Sequence, residues 1–140
     1  MMHVQLEERY QSLTEEVWRD CPRVPNAVAT NHPSPNRRML PLKYNGLLTE
    51  AAREALVQTI SDLPGSKIIK TEKRYLCVRF RTALFHFSHE SEFYLDDEKK
   101  QILCRARSRI GFADFGMNKR WLQTVYARFL KIIDEYQKQE

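Results

Sequence analysis

Between Arg74 and Ile110 the chain alternates apolar and polar residues at period two in three separate runs. Over Arg74 to Thr82, Leu76, Val78 and Phe80 fall to one side, and Tyr75, Cys77, Arg79 and Arg81 to the other. Over Phe87 to Leu95, Phe87, His89, Ser91, Phe93 and Leu95 oppose Ser88, Glu90, Glu92 and Tyr94. Over Gln101 to Ile110, Ile102, Cys104, Ala106, Ser108 and Ile110 oppose Leu103, Arg105, Arg107 and Arg109. Period two is the signature of a half-buried strand. A weaker alternation from Lys67 to Lys73 adds a fourth strand ahead of them. The connections are short: Ala83-Leu84-Phe85 reads as a bend and Asp96 to Lys100 as a polar hairpin turn. Successive strands on short connections predict a four-stranded antiparallel meander. One face of it is buried, and the other is free to meet solvent or ligand.

Helices must cover the apolar face. Asn118 to Tyr136 carries a wide apolar stripe: Trp121, Leu122, Val125, Phe129, Ile132, Ile133 and Tyr136. Thr49 to Leu63 places Ala52, Leu56, Ile60 and Leu63 on one side, with Thr49 as the expected N-cap, Glu50 suited to the dipole, and Pro64-Gly65 as the stop. Residues 4–19 set Leu6, Tyr10, Leu13 and Val17 at helical spacing, with four glutamates off that stripe. Between Cys21 and Leu42 lie five of the six prolines, which remove backbone donors and disfavour helix before them. This stretch is expected to be a long irregular arm. The predicted class is α+β in the order helix–arm–helix–ββββ–helix, with the helices on one face of the sheet. It divides into an N-terminal amphipathic helix at 1–20, a Pro-rich arm at 21–48 and an α+β core at 49–140, all within one domain. A chain of 140 residues is long enough to bury a core without staples.

The net charge is +5, which favours acidic partners. The three cysteines, Cys21, Cys77 and Cys104, match no zinc or redox spacing, and an odd number does not suit a disulfide framework. That points to a reducing compartment. The start of the chain lacks the basic and apolar regions of a secretory signal. No apolar run approaches the roughly 18 residues that suggest a membrane span. The expected location is cytoplasmic.

The strand phases put charge on the free face. Arg79 and Arg81 share it with Glu90 and Glu92 of the next strand and with Arg105, Arg107 and Arg109 of the strand after. A glutamate strand then lies between two arginine strands, and opposite charges across strands contribute roughly 0.2–1 kcal/mol per pair. One reading is a salt-bridge ladder on a wet face. The other is a basic cleft flanked by Tyr75 and Tyr94, since arginine forks bind carboxylate or phosphate bidentately. The corner after the last strand is also cationic: Lys119 and Arg120 follow Asn118, read as an N-cap, where a helix start ordinarily carries acidic residues. Asp114 is the internal counter-charge, and a bound anion the external one.

Other chemistry is missing from the sequence. His86 and His89 project to opposite faces of a strand, so no metal cluster is expected. No Gly-rich phosphate loop and no nucleophile elbow occur. Cys77 shares a face with Arg79 and Arg81, which would lower its pKa, although a strand cysteine is more often inert. The arginines would keep Glu90 and Glu92 ionised and poor as general acids. Arginines with tyrosines on an open sheet suit single-stranded nucleic acid, but the interleaved glutamates count against it.

PNAVAT in the arm, YLCVRFRTALFHFSHESEFYLD across two strands and RSRIGFADFGMNKRW at the corner resemble the domain-of-unknown-function family 1499 from about Cys21 to Phe129. The resemblance brings no biochemical activity with it. It marks Arg81, Phe85, Glu92, Asp96, Ser108, Arg109, Gly111, Asp114, Gly116, Asn118 and Arg120. Where the family pattern is similar to CPxxPNCV, this chain has Ala27 in place of the second cysteine. A role for such a cysteine pair therefore does not carry over.

The candidate ligand-binding residues are Arg81, Glu92, Arg107, Arg109, Asp114, Asn118 and Arg120. No catalytic residue is assigned, and neither metal nor cofactor is expected. The favoured reading is a non-enzymatic binding module for an anionic small molecule or an acidic protein segment. The alternatives are a small enzyme with Glu92, Arg109 and Asp114 in a polar pocket, and a corner that only fastens strand to helix.

Overall fold

A computed structural model describes residues 27–30, 34–44, 46–81, 88–108 and 116–138. In chain order these form β1 (Ala27–Ala29), a 3-10 turn (Pro35–Arg37), β2 (Leu42–Lys43) and α1 (Thr49–Ser61). There follow β3 (Ser66–Glu72), β4 (Tyr75–Arg81), β5 (Ser88–Asp96), β6 (Gln101–Ser108) and α2 (Met117–Lys138). The class is α+β. The predicted amphipathic helix at 4–19 and the bend at 83–85 lie outside the described residues.

The sheet has six strands among the described residues, not four. They run β1-β6-β5-β4-β3, with β2 also on β6, and every named pairing is antiparallel. The meander β3 to β6 is as expected, and the extra strands come from the proline-rich arm. Ala29 pairs with Arg105, the Thr30 amide donates to the Cys104 carbonyl, Leu42 pairs with Ile102, and the Tyr44 amide donates to the Lys100 carbonyl. β1 and β2 thus act as one interrupted strand along β6. The described part of the interruption opens its 3-10 turn with Pro35, and Pro41 immediately precedes β2. Residues without an amide donor cannot continue a ladder, so the chain leaves the sheet there and returns.

Each strand presents alternate residues to the helices. Leu76, Val78, Phe93, Leu95, Ile102, Cys104 and Ala106 are buried against Leu56 and Ile60 of α1 and Trp121, Leu122, Val125 and Phe129 of α2. Trp121 stands over β5, with ring centroids 5.2 Å from His89 and 6.0 Å from Phe93. Between those two on the same face is Ser91, paired with Val78 and Ala106. Small side chains in that row leave room for the indole. On the flank of α2, the Tyr126 hydroxyl lies 3.0 Å from Cys104 Sγ and donates to the Leu40 carbonyl at 2.7 Å, tying the excursion to helix and sheet. Burial pushes the Cys104 thiol up to about 12.

α1 begins one residue earlier than the sequence suggests. Leu48 is the N-cap and makes no side-chain cap bond. Thr49 is the first helical residue, and its hydroxyl donates instead to Asp97 in the β5–β6 turn. Asp97 also holds Lys100 at 2.7 Å and Arg74 at 3.6 Å. Gly65 closes the turn after α1 at φ +83°, where a Cβ would run into the Arg81 carbonyl.

The hydrogen bonds from Lys100 and Thr49 hold the Asp97 carboxyl down at about 2. A group whose pKa is lowered by folding stabilises the fold above its unfolded pKa and loses that contribution as pH falls through the folded one. The melting temperature is therefore expected to fall as pH drops from about 4 towards 2. Asp97→Asn should flatten that segment of the melting-temperature profile, while leaving its shape above pH 5 unchanged.

Candidate functional site

The face turned away from the helices is built by the alternate residues of the same strands. One row runs Lys70, Cys77, Glu92, Arg105, and the next Lys67, Arg79, Glu90, Arg107, with Arg81 paired to Ser88 beyond. The glutamate strand lies between two arginine strands, as the strand phases require. β3 alternates weakly because its register shifts between Ile68 and Lys70, a bulge that puts Lys67 and Lys70 on the same face. Lys67 is therefore part of the basic face, which the sequence reading missed.

Half of this charge is used internally. Arg105 Nη2 donates to Glu92 Oε1 at 2.6 Å, and the Tyr75 hydroxyl donates to Glu92 Oε2 at 2.6 Å. The Arg105 and Glu92 side chains are only 11% and 19% exposed. Arg79 Nη2 reaches Glu90 Oε1 at 3.4 Å. Burial first, and Glu92 second, raise the Tyr75 phenol pKa above its ordinary value. Burial and the two glutamates also raise the Cys77 thiol. The lowered thiol pKa expected from neighbouring arginines is thus reversed, because burial and the negative charges of Glu92 and Glu90 outweigh them.

Arg81 and Arg107 stand apart. Both are exposed, and neither guanidinium has a hydrogen bond or ion pair among the described residues. Lys67 is exposed on the edge strand β3, across from Arg79. At roughly 4.8 Å per strand spacing, Arg79 and Arg107 are about 10 Å apart across β5, and Arg81 lies about 7 Å further along β4 from Arg79.

The other candidates divide. Arg81, Glu92 and Arg107 share the outer face. Asn118 does not: it is the second residue of α2, fully buried on the opposite side of the sheet. It is not the N-cap, since Gly116, at φ +77°, precedes the helix and accepts the Arg120 amide at 3.0 Å. Also on that inner side are the buried His89 and Ser91, with the Phe80 ring tilted against His89 at 4.8 Å between centroids. The cationic helix start has a backbone partner, as Lys119 Nζ donates to the Asn36 carbonyl at 3.2 Å. Arg120 is exposed on the helix. Arg109 and Asp114 lie outside the described residues.

Two clefts lie away from this face. One of about 300 Å³ is lined by Thr49, Lys73, Arg74, Asp97 and Lys100 at the hairpin end. Another of about 450 Å³ lies between the helices, lined by Gln58, Asp62, Arg128, Lys131 and Glu135. No group of three or more His, Cys, Asp or Glu that could hold a metal occurs among the described residues. Among them, no helix is long and apolar enough to cross a membrane.

No curated protein and no solved structure matches the chain. A family model matches residues 18–129, a span that includes the whole arginine–glutamate face from β3 to β6. The chain belongs to the family described as Protein of unknown function (DUF1499).

Proposed function

We propose that the chain is a binding module whose outer sheet face takes an anionic partner, either a small molecule carrying phosphate or carboxylate groups or an acidic protein segment. The observation that carries this reading is the pair of exposed guanidiniums, Arg81 and Arg107, beyond a ladder in which Glu90 and Glu92 already serve Arg79 and Arg105. Guanidinium forks bind planar anions bidentately, and such charge-assisted bonds are the strong ones. Glu92 has both oxygens engaged, so it serves as a counter-charge within the ladder.

Calorimetry on the full chain with inorganic pyrophosphate and with an oligo-glutamate peptide tests this. At low salt, Arg81→Glu/Arg107→Glu is expected to weaken binding of whichever probe binds by tenfold or more. Hydrogen bonds to charged groups contribute about 1.5–3 kcal/mol each, and about 1.4 kcal/mol is a factor of ten. Affinity in the parent chain should fall as salt rises. Equal affinity in parent and variant, at unchanged melting temperature, would reject the assignment.

A further inference from the structure

Along its outer side β5 reads Ser88, Glu90, Glu92, while His89, Ser91 and Phe93 are buried on the other. Both glutamates stand beside arginines of the neighbouring strands. Glu92 is paired with Arg105, and Glu90 has Arg79 on one side and Arg107 on the other. Ser88 holds the next outward position and is paired with Arg81. A third glutamate there would complete the ladder, since opposite charges across strands stabilise a sheet. The serine leaves that rung without its negative charge.

The hydrogen bonds show the same gap. Ser88 Oγ and Arg79 Nε are both shielded from solvent, and neither has a hydrogen-bond partner among the described residues. Shielded polar groups are ordinarily satisfied, and an exception calls for an ion, water or ligand that completes it. Ser88 as a whole is half-buried, so a change of rotamer brings its hydroxyl to the surface. Arg79 meets Glu90 at 3.4 Å, the longer of the two arginine–glutamate contacts. By strand spacing, the Arg81 and Arg107 Cα atoms lie about 12 Å apart on the diagonal, with β5 between them. An arginine stem and its fork cover about half that distance, so the two guanidiniums meet above Ser88.

We infer that the missing rung is the seat of a phosphate monoester, held by the Arg81 and Arg107 forks from either side and by the Ser88 hydroxyl beneath. This rests on the reading of the outer face as an anion-binding surface, and narrows it to one position and one ligand class. Charge decides the class. Arg79, Arg81 and Arg107 surround Ser88 against the single carboxylate of Glu90, an excess of two positive charges. A phosphate monoester carries about −1.5 to −2 at pH 7 and balances that excess, whereas a carboxylate balances half of it. The phosphoryl group also has three terminal oxygens to accept from two forks and a hydroxyl, against two on a carboxylate. The carboxylates of an acidic segment bind the same position more weakly.

Calorimetry on the full chain at low salt compares phenyl phosphate with phenyl sulfate, a monoanion of the same shape, in the parent, Ser88→Ala and Ser88→Glu. Phenyl phosphate is expected to bind the parent about tenfold more tightly than phenyl sulfate. Ser88→Glu supplies the absent carboxylate. It should weaken phenyl phosphate about tenfold or more and raise the melting temperature, a gain that adding Arg81→Gln removes. Ser88→Ala should lose several-fold in affinity at unchanged melting temperature. Phosphoserine within a glycine peptide, run alongside, should match phenyl phosphate, because the seat reads the phosphoryl group alone; a preference of about tenfold for the peptide would overturn that. Unchanged affinity in Ser88→Glu, while Arg81→Glu/Arg107→Glu still abolishes binding, would overturn the seat and leave the anion-binding face standing. So would binding of oligo-glutamate or pyrophosphate without phenyl phosphate. Equal affinity for phosphate and sulfate esters would overturn the ligand class. If no anion binds, both readings fall.

Discussion

Trp121→Ala is expected to lower the unfolding free energy by about 3–5 kcal/mol, the range for removing a large aromatic side chain from a core. The indole spans His89 and Phe93 and sits 5.5 Å from Phe80. Beneath it are Ser91 and Ala106, too small to fill the space it would leave. Trp121→Phe should cost less, about 1–2 kcal/mol, because Trp121 Nε1 has no hydrogen-bond partner among the described residues and only volume is lost. Equilibrium denaturation measures both: the midpoint should fall, with the slope against denaturant unchanged. Since domains are typically stable by only about 5–15 kcal/mol, the alanine variant should be close to the threshold of folding.

The second large effect concerns the opposite face. Arg105→Ala should cost about 2–4 kcal/mol, because it strands the Glu92 carboxylate in a site of low hydration. The loss of the guanidinium is the smaller part of this; the uncompensated charge is the larger. Adding Glu92→Gln to Arg105→Ala should therefore recover a substantial share of the loss, a non-additivity that a double-mutant cycle reads directly. Arg81→Ala and Arg107→Ala should each change stability by less than about 0.5 kcal/mol, as exposed side chains without partners do. That contrast separates the arginines that hold the sheet from those available to a ligand.

The sheet core and its charged face were legible because period-two alternation over seven to nine residues leaves only one phase that buries Leu76, Val78, Phe93 and Leu95. Once the phases are set, Glu90 and Glu92 must fall between the arginines. β1 and β2 were not legible. Strands of three and two residues are too short to show a period. What makes them strands is the unpaired edge of β6, a tertiary fact. Proline gave the opposite signal, correctly for residues 34–41 and wrongly for the described residues on either side. The bulge at Ile69 hid Lys67 for the same reason: a shift of one residue reverses the face. Asn118 failed differently. It has the chemistry of an N-cap, but Gly116 in the left-handed region starts the helix earlier and turns Asn118 inward. The candidates thereby separate: Asn118 lies on the helix side of the sheet, and Arg81 and Arg107 on the outer face.

The most direct test of the binding face is a nuclear magnetic resonance titration of the full-length chain with oligo-glutamate at low salt, followed at the backbone amides and the arginine Nε–H groups. Shifts should concentrate on Lys67, Arg79, Arg81, Glu90 and Arg107, and fade as salt is raised. Shifts centred instead on Lys73, Arg74 and Lys100 at the hairpin cleft, or no shifts at millimolar peptide, would contradict the account.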